Sequence, residues 1–418
     1  MAKYVIIKLF DSVNQLELID TVKGFSSMNE NIESSQKFPM RPVAPLGVIA
    51  MNGCEEMGRK VNEFLKNWQV DASSDQKLHS FYGSDKDGFL LEAHCPRFGT
   101  GEGKGMIKDT VRGYDLFIIC DVGAYQCTYI PMTPDEHYAD LKRIIAAVSG
   151  KAYRINVIMP MLYEGRQHRR TSRESMDCAV MLQELVAMGV SNIITFDAHD
   201  PRVQNAIPLS GFESIMPTYQ MLKAMCHTYD DLRIDKHHMM VISPDEGALN
   251  RNIYYSSAMG VDMGMFYKRR DYTRVVNGRN PIVAHEYLGD SVEGKDVFVA
   301  DDIIASGDSI LDLAYNLKKR KAKRVFAGAT FAFFTSGLEA FDKAYADGVI
   351  DHVFATNLTY TPQAVLDRPW FSQADMSKYM AFVIATLNHD QSLSYLLNPW
   401  NRIEKLLTKY RAEHPHND

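Results

Sequence analysis

Four clusters in this chain combine charge and small residues in ways that could do chemistry. In VFVADDIIASGDSILDLAYNLKK, residues 297–319, the apolar run Val297, Phe298 and Val299 meets two acids, Asp301 and Asp302, and then a small-residue loop, Ala305, Ser306, Gly307, Asp308 and Ser309. Adjacent carboxylates suit sugar hydroxyls or a magnesium ion. Free backbone N–H groups and hydroxyls at the start of a helix suit a phosphate. Arg166, Gln167, Arg169 and Arg170 follow the apolar run NVIMP, and guanidinium forks there suit a polyphosphate because they bind phosphate in bidentate fashion. Asp197 and His199 follow NIITF; a histidine held beside a carboxylate can orient or neutralise a phosphate. Lys268, Arg269 and Arg270 follow MFY and lead into RDYTRVVNGRN, a polar segment that could fold over a substrate and bring cations to charge developing during transfer. The longer basic run Lys318, Lys319, Arg320, Lys321, Lys323 and Arg324 sits where a helix ends; positive charge complements the dipole there, so that run reads as structural.

The elements that must position these clusters are legible in the periodicity. Each cluster follows a short β-branched or aromatic run of the kind found in buried parallel strands, and open α/β sheets place ligands at the carboxyl ends of their strands. Ile310, Leu313, Ala314 and Leu317 recur at i, i+3, i+4 and i+7 behind the small-residue loop, which predicts an amphipathic helix. Met57, Val61 and Leu65 mark another helix, and Cys178, Leu182, Leu185 and Val186 a third. Strand and helix alternate from about residue 47 onward, which predicts parallel sheets covered on both faces. The two halves share this rhythm without a close sequence repeat, so 418 residues read as two like-folded α/β domains. We place the first at 1–212 and the second at 213–370, with final helices in 371–418 that dock back on the first half. Residues 1–40 carry no assignable chemistry, and the polar stretch 73–88 reads as an insertion or extended hairpin.

Composition narrows the classes. The 46 Lys and Arg against 52 Asp and Glu leave a net charge of −6, which provides no footprint for nucleic acid. The six cysteines are scattered without a CxxC pair, the pattern of reduced thiols in a cytoplasmic protein without a zinc site. The N-terminal apolar run is too short for a signal peptide, and no later run reaches the length of a membrane span. The expectation is a soluble, intracellular protein.

The loop of residues 301–309 resembles the phosphoribosyl-diphosphate loop of type I phosphoribosyltransferases and ribose-phosphate pyrophosphokinases. The order VRGYDLFII, NVIMP with Arg166 and Gln167, FDAHDPRVQ, VISPDEG, KRR, LGDSVEGKDVFVADDIIASGDS and ATNL resembles the pyrophosphokinases from about residue 47 to 415. A phosphoribosyltransferase would account for the second half alone. The resemblance implies two tandem phosphoribosyltransferase-like domains and magnesium-dependent transfer of the β,γ-diphosphoryl group of ATP to the C1 hydroxyl of ribose 5-phosphate, releasing AMP. It implies a homo-oligomer built on dimers, a hexamer being one such form. By motif, Arg166 and Gln167 correspond to the ATP-binding pair, and Phe98 and Glu102 to a loop that reaches the adenine of a neighbouring subunit. His199 matches the histidine at the triphosphate and metal, and Asp245 in VISPDEG a second metal-binding position. Lys268 and Arg270 match catalytic cations of a flexible loop. Asp301 and Asp302 match the ribose-binding acids, and Ser306, Gly307, Asp308 and Ser309 the 5-phosphate loop. The chain departs from the family pattern at four positions: Ala305 and Thr100 stand where an acid is usual, His168 replaces the acid after Gln167, and Asp308 replaces a glycine. Two rival readings follow, a pyrophosphokinase for a larger ribosyl phosphate acceptor and a non-catalytic regulatory homologue.

Overall fold

The apolar runs and amphipathic periods form two α/β units in the computed structural model, which describes residues 42–72, 88–127, 131–270 and 282–415, with backbone alone at 69–72, 126, 268–270 and 282–285. The N-terminal stretch, most of the polar segment 73–88 and the segment 271–281 lie outside these residues. In the first half the elements are β1 (Leu46–Ala50), α1 (Glu55–Ala72), β2 (Ala93–His94), β3 (Met106–Ile107), β4 (Asp115–Ile119), α2 (Pro134–Val148), β5 (Arg154–Ile158), α3 (Asp177–Ala187), β6 (Asn192–Phe196) and β7 (Gly211–Ile215). The order β1-β4-β5-β6-β7 makes one fully parallel sheet, and all five residues of β4 are buried, as a strand covered on both faces must be. Helix α2 starts where the sequence dictates: Thr133 and Glu136 form a reciprocal capping box, with Pro134 as the first helical residue.

The second half runs α4 (Thr218–Thr228), β8 (Met239–Ser243), α5 (Leu249–Met259), β9 (Asp262–Arg270), β10 (Ile282–Leu288), β11 (Asp296–Ile304), α6 (Asp308–Lys319), β12 (Arg324–Ala332), α7 (Glu339–Ala346), β13 (His352–Thr356), α8 (Gln363–Leu366), β14 (Phe371–Ala374), α9 (Ser377–Asn388), α10 (Ser394–Leu397) and α11 (Trp400–Glu413). Its sheet has the order β10-β9-β8-β11-β12-β13-β14 and is parallel except for the β9–β10 pair. The two units repeat a detail at their amino edges. Arg154 opens β5 opposite Asp115 of β4 and bonds it through a fork of 2.7 and 2.8 Å, while Arg324 opens β12 opposite Asp296 of β11 with bonds of 2.6 and 2.9 Å. The basic run 318–324 is likewise spent on structure, with Lys318 on Asp351 and Lys321 on Glu293.

β7 carries the first sheet to Ile215, past the boundary expected at 212, and β14 extends the second sheet past 370. We therefore propose a division just after Ile215. The C-terminal helices divide between the units. Helix α9 lies on α1, with the Trp68 and Phe382 rings stacked 4.3 Å apart, and Asn388 at its end bonds Asp115. Helix α11 instead packs on α4 and α5 of the second unit through Ile403, Leu407 and Tyr410.

The carboxyl ends of the two sheets face each other. Phe331 and Phe333 at the end of β12 join the same buried cluster as Ile158, Ile194 and Phe196 of the first sheet. This apolar seam brings the polar strand ends of both units into one cleft. Among the described residues no helix is long and apolar enough to cross a membrane.

Candidate active site

Asp301 and Asp302 lie within β11 rather than beyond it, because pairing with β12 continues to Ile304. On the other side pairing with β8 stops at Val299. The strand thus keeps one hydrogen-bonding edge and opens the other at the two acids. Asn252 of α5 takes the place of the missing partner: its Oδ1 accepts from the Ala300 N–H at 3.1 Å and its Nδ2 donates to the Ala300 carbonyl at 2.8 Å. A buried backbone pair cannot be left unmade without cost, so Asn252 fixes α5 beside the acids. Its neighbour Arg251 then faces them, with Nη1 3.7 Å from Asp301 and 4.0 Å from Asp302.

The first unit contributes the end of β6. Asp197 adopts a left-handed φ of 46°, turning the chain out of the strand, and two residues on His199 reaches across the seam. Its Nδ1 lies 2.7 Å from Asp302 Oδ2. Asp197 itself receives the Arg251 fork at 2.8 to 3.0 Å and the Thr330 hydroxyl at 2.6 Å. The loop after β5 adds Arg166 to the cleft wall. Gln167 donates to the Ser175 carbonyl at 2.8 Å, which ties that loop to the start of α3. His168 lies beside His199, ring centres 5.4 Å apart, and 3.6 Å from Asp200. The resulting cleft is lined by Arg166, His199, Asp302 and Phe331 among others.

The charges are unevenly distributed. Burial opposes ionisation of Asp302, but the hydrogen bond to His199 and the charge of Arg251 outweigh it and hold the carboxyl well below the usual range. The bond to Asp302 raises the proton affinity of His199 against its own burial. Asp301 moves the other way, pushed up by burial and by the charge of Asp302. One acid is thus a fixed anion paired with imidazole, while its neighbour holds a proton more readily.

The loop that follows turns at Gly307, whose φ of 92° is left-handed and whose added Cβ would lie 2.2 Å from the Phe341 ring, so glycine is required twice over. Helix α6 starts at Asp308. The Ser306 hydroxyl donates to Asp308 Oδ2 at 2.9 Å, so the loop's own carboxylate occupies a donor of the anion cradle. Ser309 follows in the first turn and is exposed.

Other expected site residues fall elsewhere. Phe98 is exposed at the base of a turn that its N–H closes on the Glu102 carbonyl, and neither residue lines the cleft of this chain. Thr100 donates to Glu102 within the same turn. Asp245 spends Oδ1 on the N–H groups of Gly247 and Ala248, ahead of α5. Lys268 and Arg270 lie in β9 opposite His285 and Ile282, and their side chains are outside the described residues. Among the described residues, no three His, Cys, Asp or Glu side chains converge on a metal position of their own. Sequence reasoning passed over Arg251 and Asn252. One signal was present: Arg251 sits in the first turn of a helix, where the dipole disfavours a cation unless acids face it.

Two parallel sheets meeting at their carboxyl edges, with an acid pair and a small-residue loop on one and cationic groups on the other, define a tandem phosphoribosyltransferase-type protein. Comparisons agree with the geometry. The family model described as the N-terminal domain of ribose phosphate pyrophosphokinase matches residues 46–189, and that of the phosphoribosyl transferase domain matches residues 215–356. Ribose-phosphate pyrophosphokinase of Vibrio cholerae is 31% identical over 313 residues, covering 74% of this chain and 92% of the relative. The Chromobacterium violaceum enzyme of that name is 28% identical over 312 residues, covering 74% and 88%. The crystal structure of phosphoribosylpyrophosphate synthetase from Mycobacterium smegmatis superimposes with a TM-score of 0.65 at 19% identity, covering 83% of this chain and 99% of that one, which establishes the shared fold. The chain belongs to the ribose-phosphate pyrophosphokinase family of enzymes.

Proposed function

We propose that this enzyme transfers the β,γ-diphosphoryl group of ATP to the C1 hydroxyl of ribose 5-phosphate, giving 5-phosphoribosyl 1-diphosphate and AMP. The observation that carries this reading is the contact of His199, on the unit bearing Arg166, with Asp302, on the unit bearing the small-residue loop, at 2.7 Å. It supports a polyphosphate on the first unit directly beside a sugar on the second. In this reading Arg166 binds the triphosphate and Gln167 keeps its loop in place. Asp301 and Asp302 orient ribose hydroxyls, and Ser306, Gly307 and Ser309 hold the 5-phosphate through hydroxyl and backbone N–H groups. Lys268 and Arg270 are the catalytic cations that meet the charge developing on the transferring group. Phe98 and Glu102, exposed on their turn, serve a neighbouring copy, in keeping with a homo-oligomer.

The donor set fits magnesium. That ion binds through one or two carboxylates plus substrate phosphates and retains several waters, so Asp301 and Asp302 would suffice without a dedicated cage, and the family resemblance adds His199 and Asp245 as metal-binding positions. Magnesium bound with ATP would neutralise the diphosphoryl charge. The chain's own contribution is alignment: the C1 oxygen must attack the β-phosphorus in line, and prepaid positioning of this kind lowers the barrier without a covalent intermediate.

A phosphorus NMR time course with ATP, magnesium and ribose 5-phosphate tests the reading. Equal amounts of AMP and a 1-diphosphate are expected; ADP, or no turnover, would refute it. A second reading, a larger ribosyl phosphate acceptor, is favoured by one observation, the Asp308 carboxylate at the start of α6. A non-catalytic regulatory role is disfavoured by the complete His199, Asp301 and Asp302 set.

A further inference from the structure

We propose that Arg251 is the positioning residue that fixes the donor half of the cleft against the acceptor half. This inference rests on the diphosphoryl transfer proposed above. Its side chain is only 9% exposed and lies between three acids drawn from both units. Nε and Nη2 grip Asp197, at the end of β6 in the first unit. Nη1 stands 3.7 and 4.0 Å from Asp301 and Asp302, at the open edge of β11 in the second.

Each partner is held independently. Asp197 is fixed by its N–H bond to the Ile215 carbonyl and by the Thr330 hydroxyl from β12. The strand that carries the acids is fixed by β12 on one side and, at Ala300 just before them, by the amide of Asn252, the residue next to Arg251, on the other. A planar fork with rigid donors suits such a bridge, whereas an ammonium on a flexible stem does not. The guanidinium joins Asp197, two residues from His199 on the Arg166 and His199 side of the cleft, to Asp301 and Asp302 on the other side. Arg251 acts through these acids and not on the reacting atoms. Because misplacement by about 1 Å costs on the order of 10²-fold in rate, loosening the bridge should slow transfer while leaving each substrate's own contacts in place.

The test is Arg251→Lys in the full chain, with kcat and both KM values from AMP release, ATP affinity by calorimetry, and hydrogen exchange without substrates. We expect kcat to fall about 10²-fold, both KM values and the ATP affinity to stay within about threefold, and amides at 197–199 and 300–302 to exchange faster while strand centres stay protected. An unchanged kcat overturns the proposal, as does a raised KM for one substrate at unchanged kcat. A fallen kcat with wild-type exchange also overturns it, since Arg251 would then act on the substrates directly. Should Arg251→Lys not fold, Asp197→Asn with Arg251→Met removes both members of the buried Arg251–Asp197 pair; slow turnover by this folded double variant supports the proposal, and wild-type kcat overturns it. If the parent enzyme itself fails to use ribose 5-phosphate, the proposed reaction is refuted while the exchange measurement still decides the role of Arg251.

Discussion

Replacing Asp308 by Asn should improve the use of ribose 5-phosphate, an unusual direction for a change in a binding loop. The carboxylate accepts the Ser306 hydroxyl at 2.9 Å and stands at the first residue of α6. A phosphate that takes over the Ser306 donor would place its phosphorus roughly 6 Å from the Asp308 carboxylate. A dianion and a monoanion at that separation repel by about 332 × 2/(80 × 6), or roughly 1.4 kcal/mol in water-like surroundings, which is about tenfold in affinity. Asn keeps the size and an acceptor for Ser306 but removes the charge. The expected result is a KM for ribose 5-phosphate about tenfold lower, with kcat and the ATP affinity held. The gain should shrink as salt rises, since the group is exposed and screened. Loss of the acid from the first turn should cost the helix about 0.3–1 kcal/mol of stability, which thermal unfolding would register separately. Initial rates by AMP release at several salt concentrations decide the matter. An unchanged or raised KM would refute the idea that Asp308 competes with the acceptor's phosphate, and a gain seen only with some other ribosyl acceptor would favour the second reading of the substrate.

Three further outcomes are expected. Asp301→Asn with Asp302→Asn should abolish turnover while circular dichroism stays native, and full activity in that variant would reduce the acid pair to an ordinary strand end. Lys268→Ala should lower kcat by roughly 10² to 10³ with ATP affinity unchanged, whereas Arg166→Ala should weaken ATP binding; calorimetry beside turnover separates the two. Asp121 is buried and its carboxyl is pushed up to about 6, with hydrogen bonds from Gly123 and Tyr360 only partly offsetting burial. Its folded form therefore holds the proton more tightly than the unfolded chain, so stability falls as pH rises from about 4 to 6. The shift of about two units corresponds to roughly 3 kcal/mol. Urea unfolding of Asp121→Asn should lack that decline; an identical pH profile in both proteins would contradict it.

Much of this enzyme can be read from local pattern. The alternation of buried strands and amphipathic helices predicts the two α/β units, because the period of apolar residues depends only on neighbours along the chain. Ile310, Leu313, Ala314 and Leu317 are all buried in α6, and the turn at Gly307 demands glycine from its backbone alone. The acids, the small-residue loop and the two cationic clusters are legible for the same reason, since each is a short run at a strand end. The family follows from the order of those runs. What pattern cannot supply is which runs meet. The His199 to Asp302 bond joins residues 103 apart in sequence, and it exists because the two sheets pack carboxyl edge to carboxyl edge over Phe196, Phe331 and Phe333. The limits of the strands also depend on neighbours: β11 runs through its acids because β12 is long enough to pair with them, and it opens on one side because β8 is not. That gap recruits Asn252 as a substitute strand partner and turns Arg251 toward three carboxylates. An arginine in a helix has many possible roles in sequence; its partners, and therefore its role, were decided only when the sheets came together.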